Sequence, residues 1–250
     1  MDDETMLIRR FEDLSSQADR RFTYTFSGFL NLSEQDTLLK IKNNLSMPAS
    51  LYAPQDTSER KIAVFGSESL FGYPPEYPVC VLEIAPLSEK FAEDLTHRDY
   101  LGAVLNTGID RSLTGDIIIR EKHAWIYCLT SIAEFLKDSL KRVRHTEVQL
   151  KCASMDIPEL TPVFEELRIN VASERLDAIA SAFTGITRSK IMPLFTQQQI
   201  FINSRIIENP AARLKEGDVL NIRGYGKAIY EGIDGVSKKG RLYVVLKKYV

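Results

Sequence analysis

The chain has 250 residues, of which 44% are hydrophobic and 26% charged, with a formal net charge of −2. This composition excludes a wholly disordered chain, and the length allows one large domain or two to three small ones. No run of about 18 apolar residues is present, so no transmembrane helix is expected. The sequence begins Met-Asp-Asp-Glu, without the basic start and apolar run of a secretory signal, so we expect a cytoplasmic protein with no membrane partner.

Charge is unevenly distributed along the chain. Residues 171–250 contain 13 Lys and Arg against 7 Asp and Glu, a net charge of +6, whereas residues 1–170 have a net charge of −8. Such an asymmetry indicates that the C-terminal end meets a polyanion. A solvated basic surface without a partner is the alternative.

Residues 1–73 have the pattern of a small α/β unit. One helix is predicted from apolar residues that recur every three or four positions, and a second is expected to begin at Ser33. A loop is predicted over 47–60, and a short strand over 61–65. A proline-rich segment from Tyr73 to Pro78 then serves as a stiff linker.

Residues 79–155 follow a β-α-β-β-α-β rhythm. Apolar strands are predicted at 79–85, 116–120, 124–128 and 147–153, and helices at 96–106 and 131–141. This order is that of the ferredoxin-like split arrangement, which RNA-recognition modules share. The first strand has no exposed aromatic residue, so we do not expect bases to stack on this sheet.

Residues 164–250 begin with a strand and continue into the basic segment. A short helix starts at Arg175-Leu176-Asp177 and is broken by Gly185. A second helix starts at Arg188, with Thr187 as its predicted N-cap. Arg188 and Lys190 then lie near a helix N-terminus, where backbone N–H groups and the helix dipole already attract anions such as phosphate. A compact β part follows, with a hairpin turn at Asn203-Ser204.

These motifs, in this order, resemble the S4-type (αL) RNA-binding domain of a small-subunit ribosomal protein, several pseudouridine synthases and tyrosyl-tRNA synthetases. That family has Arg-Leu-Asp, then Ser-Arg-Ser, then a Val-x-Val-Asn turn, then Gly-Asp before a final strand. In this sequence Thr187 replaces the first serine, Ser204 stands where glycine is common, and Pro193 lies inside the second helix, which we therefore expect to be kinked or short. The matches are Arg175-Leu176-Asp177, Arg188-Ser189, Ile200-Phe201-Ile202-Asn203 and Gly217-Asp218.

A second resemblance lies upstream and extends the likeness over nearly the whole chain. The middle region is similar to the signature of the YlmH family, bacterial proteins with an N-terminal unit, a ferredoxin-like middle and a C-terminal S4-type domain. The resemblance implies binding to the large ribosomal subunit and a role in ribosome-associated quality control of stalled nascent chains. The family has also been linked to cell division. The similar segments are His97 to Ala103, Gly108 to Arg111 and Gly115 to Ile117.

Catalytic motifs are weak in this sequence. His97-Arg98-Asp99 is like a kinase catalytic loop, but Asn106 follows Asp99 by seven positions rather than five, and neither a phosphate loop nor a dinucleotide fingerprint is present. Only about fifteen residues follow Gly235, which argues against the large catalytic domain of a pseudouridine synthase. The histidines and the three cysteines lack metal-ligand spacing, and small buried cysteines are expected. We therefore expect no catalytic residue, no metal, no cofactor and no small-molecule substrate.

The sequence thus predicts an α+β protein that binds RNA without catalysis. Its parts are an N-terminal α/β unit (1–73), a ferredoxin-like, RRM-like domain (79–155) and an S4-type domain with a C-terminal strand extension (164–250). The expected partners are the ribosome and large-subunit rRNA, with tRNA as a further candidate; the alternatives are an RNA-modifying enzyme and a cell-division adaptor. The predicted RNA contacts are Arg175, Arg188, Ser189, Lys190, Asn203, Lys215, Arg223 and Lys227.

Two expectations concern particular arginines. Arg188→Glu should weaken RNA binding at least about tenfold and leave folding intact, because phosphate contacts rely on positive charge. His97, Arg98 and Arg111 form a second candidate surface that could face RNA. The alternative for this group, together with Asp99, is a structural helix cap and ion pair.

Overall fold

A computed structural model describes residues 3–55, 57–156 and 158–249. They form two compact units, of which the first ends at Thr161 and the second begins at Pro162. Both units combine helices with antiparallel sheets, so the protein has the predicted α+β fold. Among the helices described, none is both long and apolar enough to cross a membrane. The finer division at 1–73, 79–155 and 164–250 stays a prediction.

The first part of unit 1 is a three-stranded sheet in the order β1-β3-β2, with two helices packed on it. Phe11 and Ala18 of α1 are fully buried, as their helical spacing predicts. The α2 helix begins after Asn31, whose side chain forms a capping box with Glu34. The elements are α1 (Asp3–Arg21), β1 (Thr25–Leu30), α2 (Leu32–Ile41), β2 (Ala49–Tyr52), β3 (Lys61–Phe65) and the one-turn α3 (Glu68–Phe71).

The strands β1 and β2 were not predicted. The sequence indicates a loop over 47–60, yet Ala49–Tyr52 pairs with β3. In β1, Gly28 looks like a strand breaker, but a Cβ at this position would lie 2.7 Å from the carbonyl oxygen of Ser112. Glycine is therefore needed here for a close approach of two backbones, which is a common role of glycine within a strand.

The second sheet of unit 1 has five antiparallel strands in the order β5-β6-β4-β8-β7. Apart from the two-residue β7, its elements follow each other as β-α-β-β-α-β. They are β4 (Val79–Pro86), α4 (His97–Leu105), β5 (Thr114–Arg120), β6 (His123–Leu129), α5 (Ala133–Ser139), β7 (Arg142–Val143) and β8 (Thr146–Ala153).

Both faces of this second sheet are buried over part of their area. On one face, Leu82 and Ile126 pack with residues of α4 and α5. On the other face, Val81 and Tyr127 pack against Phe29 and other residues of the N-terminal sheet. Strands covered on both sides are expected to be nearly continuous apolar runs, and β6 has this pattern. The two sheets of unit 1 consequently share a hydrophobic cluster.

Unit 2 has a six-stranded antiparallel sheet in the order β11-β10-β12-β13-β14-β9. Two helices cover one face, with Leu176, Ile179 and Ile191 fully buried among strand residues. The elements are β9 (Phe164–Val171), α6 (Leu176–Thr184), α7 (Arg188–Thr196), β10 (Ile200–Ile202), β11 (Arg205–Ile206), β12 (Val219–Ile222), β13 (Gly226–Val236) and β14 (Leu242–Tyr249).

Two turns of unit 2, at Gly185 and at Asn203-Ser204, lie where the sequence predicts them. Gly185 ends α6 with φ of 72°, the left-handed conformation that glycine adopts without strain. The predicted hairpin turn is confirmed: Ile202 pairs with Arg205, and Asn203 and Ser204 have φ of 50° and 67°. A turn with two positive φ angles favours glycine, which explains why Ser204 is the less common choice.

Cysteine burial was predicted only in part. Cys128 is buried and Cys80 is half-buried, but Cys152 is exposed on β8. Cys152 lies on the same face of β8 as the buried Val148 and Leu150, but near the end of the strand, where burial is lost. The expectation that all three cysteines are buried was therefore wrong for Cys152.

Candidate nucleic-acid interface

The two predicted arginines at the starts of α6 and α7 meet at one buried carboxylate, that of Asp177. Arg175 donates from Nε to Asp177 Oδ1 at 3.2 Å and from Nη2 to Oδ2 at 3.1 Å. Arg188 donates from Nε to Oδ2 of the same carboxylate at 2.8 Å, with a second bond from Nη2. The Asp177 side chain has no exposed surface, whereas those of Arg175 and Arg188 are 43% and 59% exposed. Asp177 therefore holds both guanidinium groups in a fixed relation.

The electrostatics of this cluster favour the charged states of Asp177 and Arg175. Burial by itself raises the pKa of Asp177, but the hydrogen bonds and charges of Arg175 and Arg188 outweigh it, and the net pKa is lowered. The hydrogen bond to Asp177 raises the pKa of Arg175. One carboxylate thus faces two guanidinium groups, which leaves an excess positive charge at the surface.

Unused donors remain on this surface. A guanidinium has five N–H groups, and the Nη1 atoms of Arg175 and Arg188 have no partner among the described residues. Lys190 lies on the first turn of α7, is exposed and has no described side-chain partner. Planar guanidinium groups beside an ammonium group at a helix N-terminus are well suited to binding phosphate oxygens.

The N-cap of α7 differs from the prediction in one respect. Thr187 occupies the N-cap position, but its side chain makes no capping hydrogen bond. Its hydroxyl instead lies 3.0 Å from that of Ser189, another predicted contact residue. The Lys190 backbone N–H donates to the Thr187 carbonyl oxygen at 2.9 Å, whereas those of Arg188 and Ser189 have no partner among the described residues and are open to an anion.

A second group of predicted residues lies on the sheet. Asn203 donates from Nδ2 to Asp218 Oδ1 at 2.7 Å and accepts from the Val219 backbone N–H at 2.9 Å. The same Asp218 accepts from the backbone N–H of Lys215 at 2.8 Å, while the Lys215 side chain is exposed. Asn203 is thus engaged in fastening the β10–β11 turn to β12. No hydrogen bond among the described residues links this group to Arg175 and Arg188.

Arg223 and Lys227 flank the β12–β13 turn. The Arg223 guanidinium lies 5.8 Å from the centre of the Phe201 ring, and Lys227 Nζ lies 4.6 Å from that of Tyr249. Between them, Tyr225 is 43% exposed and was not predicted as a contact. The sequence does contain an indication that Tyr225 is exposed. Tyr225 lies between Gly224 and Gly226, and an aromatic residue between two glycines is typical of a turn at the surface.

In the second candidate surface, His97 and Arg98 are exposed, whereas Arg111 has structural hydrogen bonds. Arg111 donates from Nη1 to the carbonyl oxygens of Thr114 and Gly115, at 2.7 and 3.0 Å. Burial and then the neighbouring Arg60 lower the pKa of Arg111 to about 10. These bonds favour the structural interpretation of Arg111, whereas His97 and Arg98 are exposed at the start of α4.

Asp99 has the predicted structural role. Its carboxylate accepts from the backbone N–H of Thr96 at 2.9 Å and forms the α4 capping box. It also lies 3.6 Å from Arg144 Nη1. The hydrogen bonds with Thr96 lower the pKa of Asp99. His97-Arg98-Asp99 therefore forms the start of α4, and the Asp99 carboxylate is engaged in capping this helix.

The helix-free face of the second sheet in unit 1 is poorly suited to nucleic acid. Val81 and Tyr127 are buried beneath the N-terminal strands. Next to them, His123 Nδ1 lies 2.8 Å from Glu83 Oε1, so a carboxylate occupies the open part of the face. Carboxylates repel phosphate, which agrees with the expectation that bases do not stack on this sheet. Within 3–55, 57–156 and 158–249, no cluster of His, Cys, Asp and Glu suited to a metal ion is found.

Comparison with known proteins finds a family, a curated relative and a solved structure to which this chain is similar. Residues 74–156 match the family described as "Putative RNA-binding domain in YlmH". The chain is 24% identical over 247 residues to the "Ribosome-associated protein quality control protein P2" of Bacillus subtilis, covering 98% of this chain and 95% of that protein. A solved structure, the cell division protein ylmH from Streptococcus pneumoniae, is 23% identical with a TM-score of 0.49, covering 62% of this chain and 93% of that one.

Proposed function

Because this chain belongs to the YlmH family, we propose that it is a non-catalytic RNA-binding protein of the bacterial cytoplasm that associates with the large ribosomal subunit. The match of residues 74–156 to an RNA-binding domain model supports RNA as the partner. The name of the Bacillus subtilis relative supports ribosome-associated quality control as the process. In this proposal the contacted RNA is rRNA, with tRNA as a further partner.

The observation on which the proposal chiefly rests is the cluster formed by Arg175, Asp177 and Arg188. Two guanidinium groups held together by a buried carboxylate, with Lys190 beside them, form a preorganised site for phosphate. Phosphate contacts position a protein without reading base sequence. Folded rRNA recognised by shape and charge is consequently the expected target.

We also propose the finer architecture. In unit 1, the antiparallel order β8-β4-β6-β5 with α4 and α5 on one face supports a ferredoxin-like domain. In unit 2, two short helices followed by the β10–β11 hairpin and β12 support an S4-type domain. Within that domain β14 and the end of β13 are the C-terminal strand extension, and β14 pairs with β9, the strand that leads into the domain.

Lys190→Glu is the sharpest test of the proposal. Lys190 is exposed and has no described partner, so charge reversal should weaken binding of the full chain to deproteinised large-subunit rRNA by at least about tenfold. Arg188→Glu is less informative than the sequence suggests, because it would place a carboxylate against the buried Asp177 and threaten the fold.

Lys42→Glu is the matched control, since Lys42 is an exposed lysine of unit 1. Both variants should show unchanged circular dichroism and thermal unfolding. Equal rRNA affinity for Lys190→Glu and Lys42→Glu would contradict the proposed site. Conversion of a nucleotide in the rRNA by the wild-type protein, detected by mass spectrometry, would contradict the non-catalytic assignment.

A further inference from the structure

The turn between β13 and β14 is a basic tip whose conformation is fixed by its own backbone. The Ser237 N–H donates to the Arg241 carbonyl oxygen at 2.7 Å, and the Gly240 N–H donates to the Ser237 carbonyl oxygen at 2.9 Å. Gly240 has φ of 73°, which suits glycine at this position of the turn. Lys238 and Lys239 lie at the centre of the turn, exposed and without a described side-chain partner.

Two further arginines lie at the base of this tip. Arg241 donates from Nη2 to the carbonyl oxygen of Asn170 at 2.8 Å and also bonds to the Asn170 side chain, so its partner is neutral. Arg168 lies 4.4 Å from the centre of the Tyr243 ring and pairs with Asp234 at 2.9 Å. An exposed ion pair of this kind contributes little to stability.

The charges at this tip are not balanced. Asp234 is matched by Arg168, and Glu231 is matched by Lys247 at 3.0 Å. The charges of Lys238, Lys239 and Arg241 have no described acidic partner. Three positive charges therefore remain at the tip, where solvent exposure allows each to contact phosphate.

The tip lies at the same end of the sheet as the arginine cluster. Leu242, the first residue after the tip to join the sheet, pairs with Val171 at the end of β9. Arg175 follows Val171 by four residues, which span at most about 14 Å. The basic tip and the start of α6 are consequently close enough to contact one folded RNA.

We propose that the β13–β14 tip is a second phosphate-binding surface, formed by Lys238, Lys239 and Arg241, which extends the RNA contact beyond the starts of α6 and α7. The inference rests on the proposed function, since it takes RNA as the partner. It gives the C-terminal strand extension its own role in RNA binding, in addition to the role of the starts of α6 and α7. Ser237, Gly240 and Asn170 hold the tip in place, so the lysines are presented in a defined geometry.

The test compares two double variants of the full chain. Lys238→Gln with Lys239→Gln removes two charges from the tip, and Lys42→Gln with Lys90→Gln removes two exposed lysine charges from unit 1. Affinity for deproteinised large-subunit rRNA is measured at several KCl concentrations. The tip variant should bind about tenfold more weakly at low salt, and its plot of log affinity against log salt should be shallower by about 1.4 to 1.8, the release expected for two phosphate contacts.

The other outcomes distinguish failure of this inference from failure of the proposed function. Unchanged affinity and slope for the tip variant, with Lys190→Glu still impaired, overturns this inference and leaves the proposed function standing. No rRNA binding by the wild type overturns both. Unchanged rRNA binding together with lost binding to intact large subunits also overturns the inference, because the tip would then contact a ribosomal protein.

Discussion

At the scale of single residues, Asp177 connects local structure with the proposed function. In the sequence Asp177 belongs to the motif that begins at Arg175, and the structure adds Arg188 as a second partner of its carboxylate. The sequence could not reveal this second bond, because Arg188 lies eleven positions from Asp177 and reaches it only when α7 packs beside α6. A buried carboxylate is costly unless it is paired, and Asp177 has two charged partners.

The pH dependence of stability should report this cluster. Because the pKa of Asp177 is lowered in the folded protein, its contribution is fully present above the unfolded value of about 3.9 and is lost as the pH falls through the lower folded value. Wild type should therefore exceed Asp177→Asn in unfolding free energy at pH 7, and the difference should shrink below about pH 4. Urea unfolding followed by NMR signals of unit 2 at several pH values measures this. A difference that is constant with pH would contradict the assignment.

At the scale of elements, helix starts were predicted better than strands. The position of the α7 N-cap follows from Thr187, yet its hydroxyl contacts Ser189 instead of a backbone N–H. The sequence pattern identifies a residue that is able to cap, but the side-chain torsion decides whether it does. In β1, five of the six residues are buried, so the strand lacks the alternation on which prediction depends. The expected short or kinked α7 is nine residues long and continues past Pro193.

The two helix caps give a matched pair of substitutions. Asn31→Ala removes a side chain that accepts hydrogen bonds from Ser33 and Glu34, and should cost about 1 kcal/mol of stability. Thr187→Ala removes a hydroxyl that caps no backbone group and should cost only a few tenths of that amount. Chemical denaturation of both variants compares them. A larger loss for Thr187→Ala would contradict the geometry of the α7 start.

At the scale of the whole molecule, the first 161 residues behave as one unit. The sequence separated 1–73 from 79–155 because of the proline-rich segment between them. In the structure, Phe29 and Val81 belong to one cluster, and Arg60 donates to the carbonyl oxygens of Phe29 and Thr114 at 2.6 and 3.1 Å. Contacts of this kind join residues more than 30 positions apart, so no local pattern predicts them. In the sequence, the continuous apolar run of β6 does indicate that this strand is covered on both faces.

Limited proteolysis should separate the two units before it opens either one. Cleavage is expected first around residues 154–163, between β8 and β9, and not at residues 74–78, which connect two parts of a shared core. Mass spectrometry of the early fragments identifies the sites. Early fragments that end near residue 75 would show that 1–73 separates from the rest of unit 1.

The most direct measurement for the central claim is sedimentation of the full chain with purified large ribosomal subunits on sucrose gradients. Wild type and Lys42→Glu should travel with the subunit at about 50 mM salt and be released at about 200 mM, because several phosphate contacts produce a steep salt dependence. Lys190→Glu should remain at the top of the gradient at both concentrations. If Lys190→Glu travels with the subunit as well as wild type does, or if wild type does not travel with it at low salt, the account of a ribosomal RNA contact at the starts of α6 and α7 is contradicted.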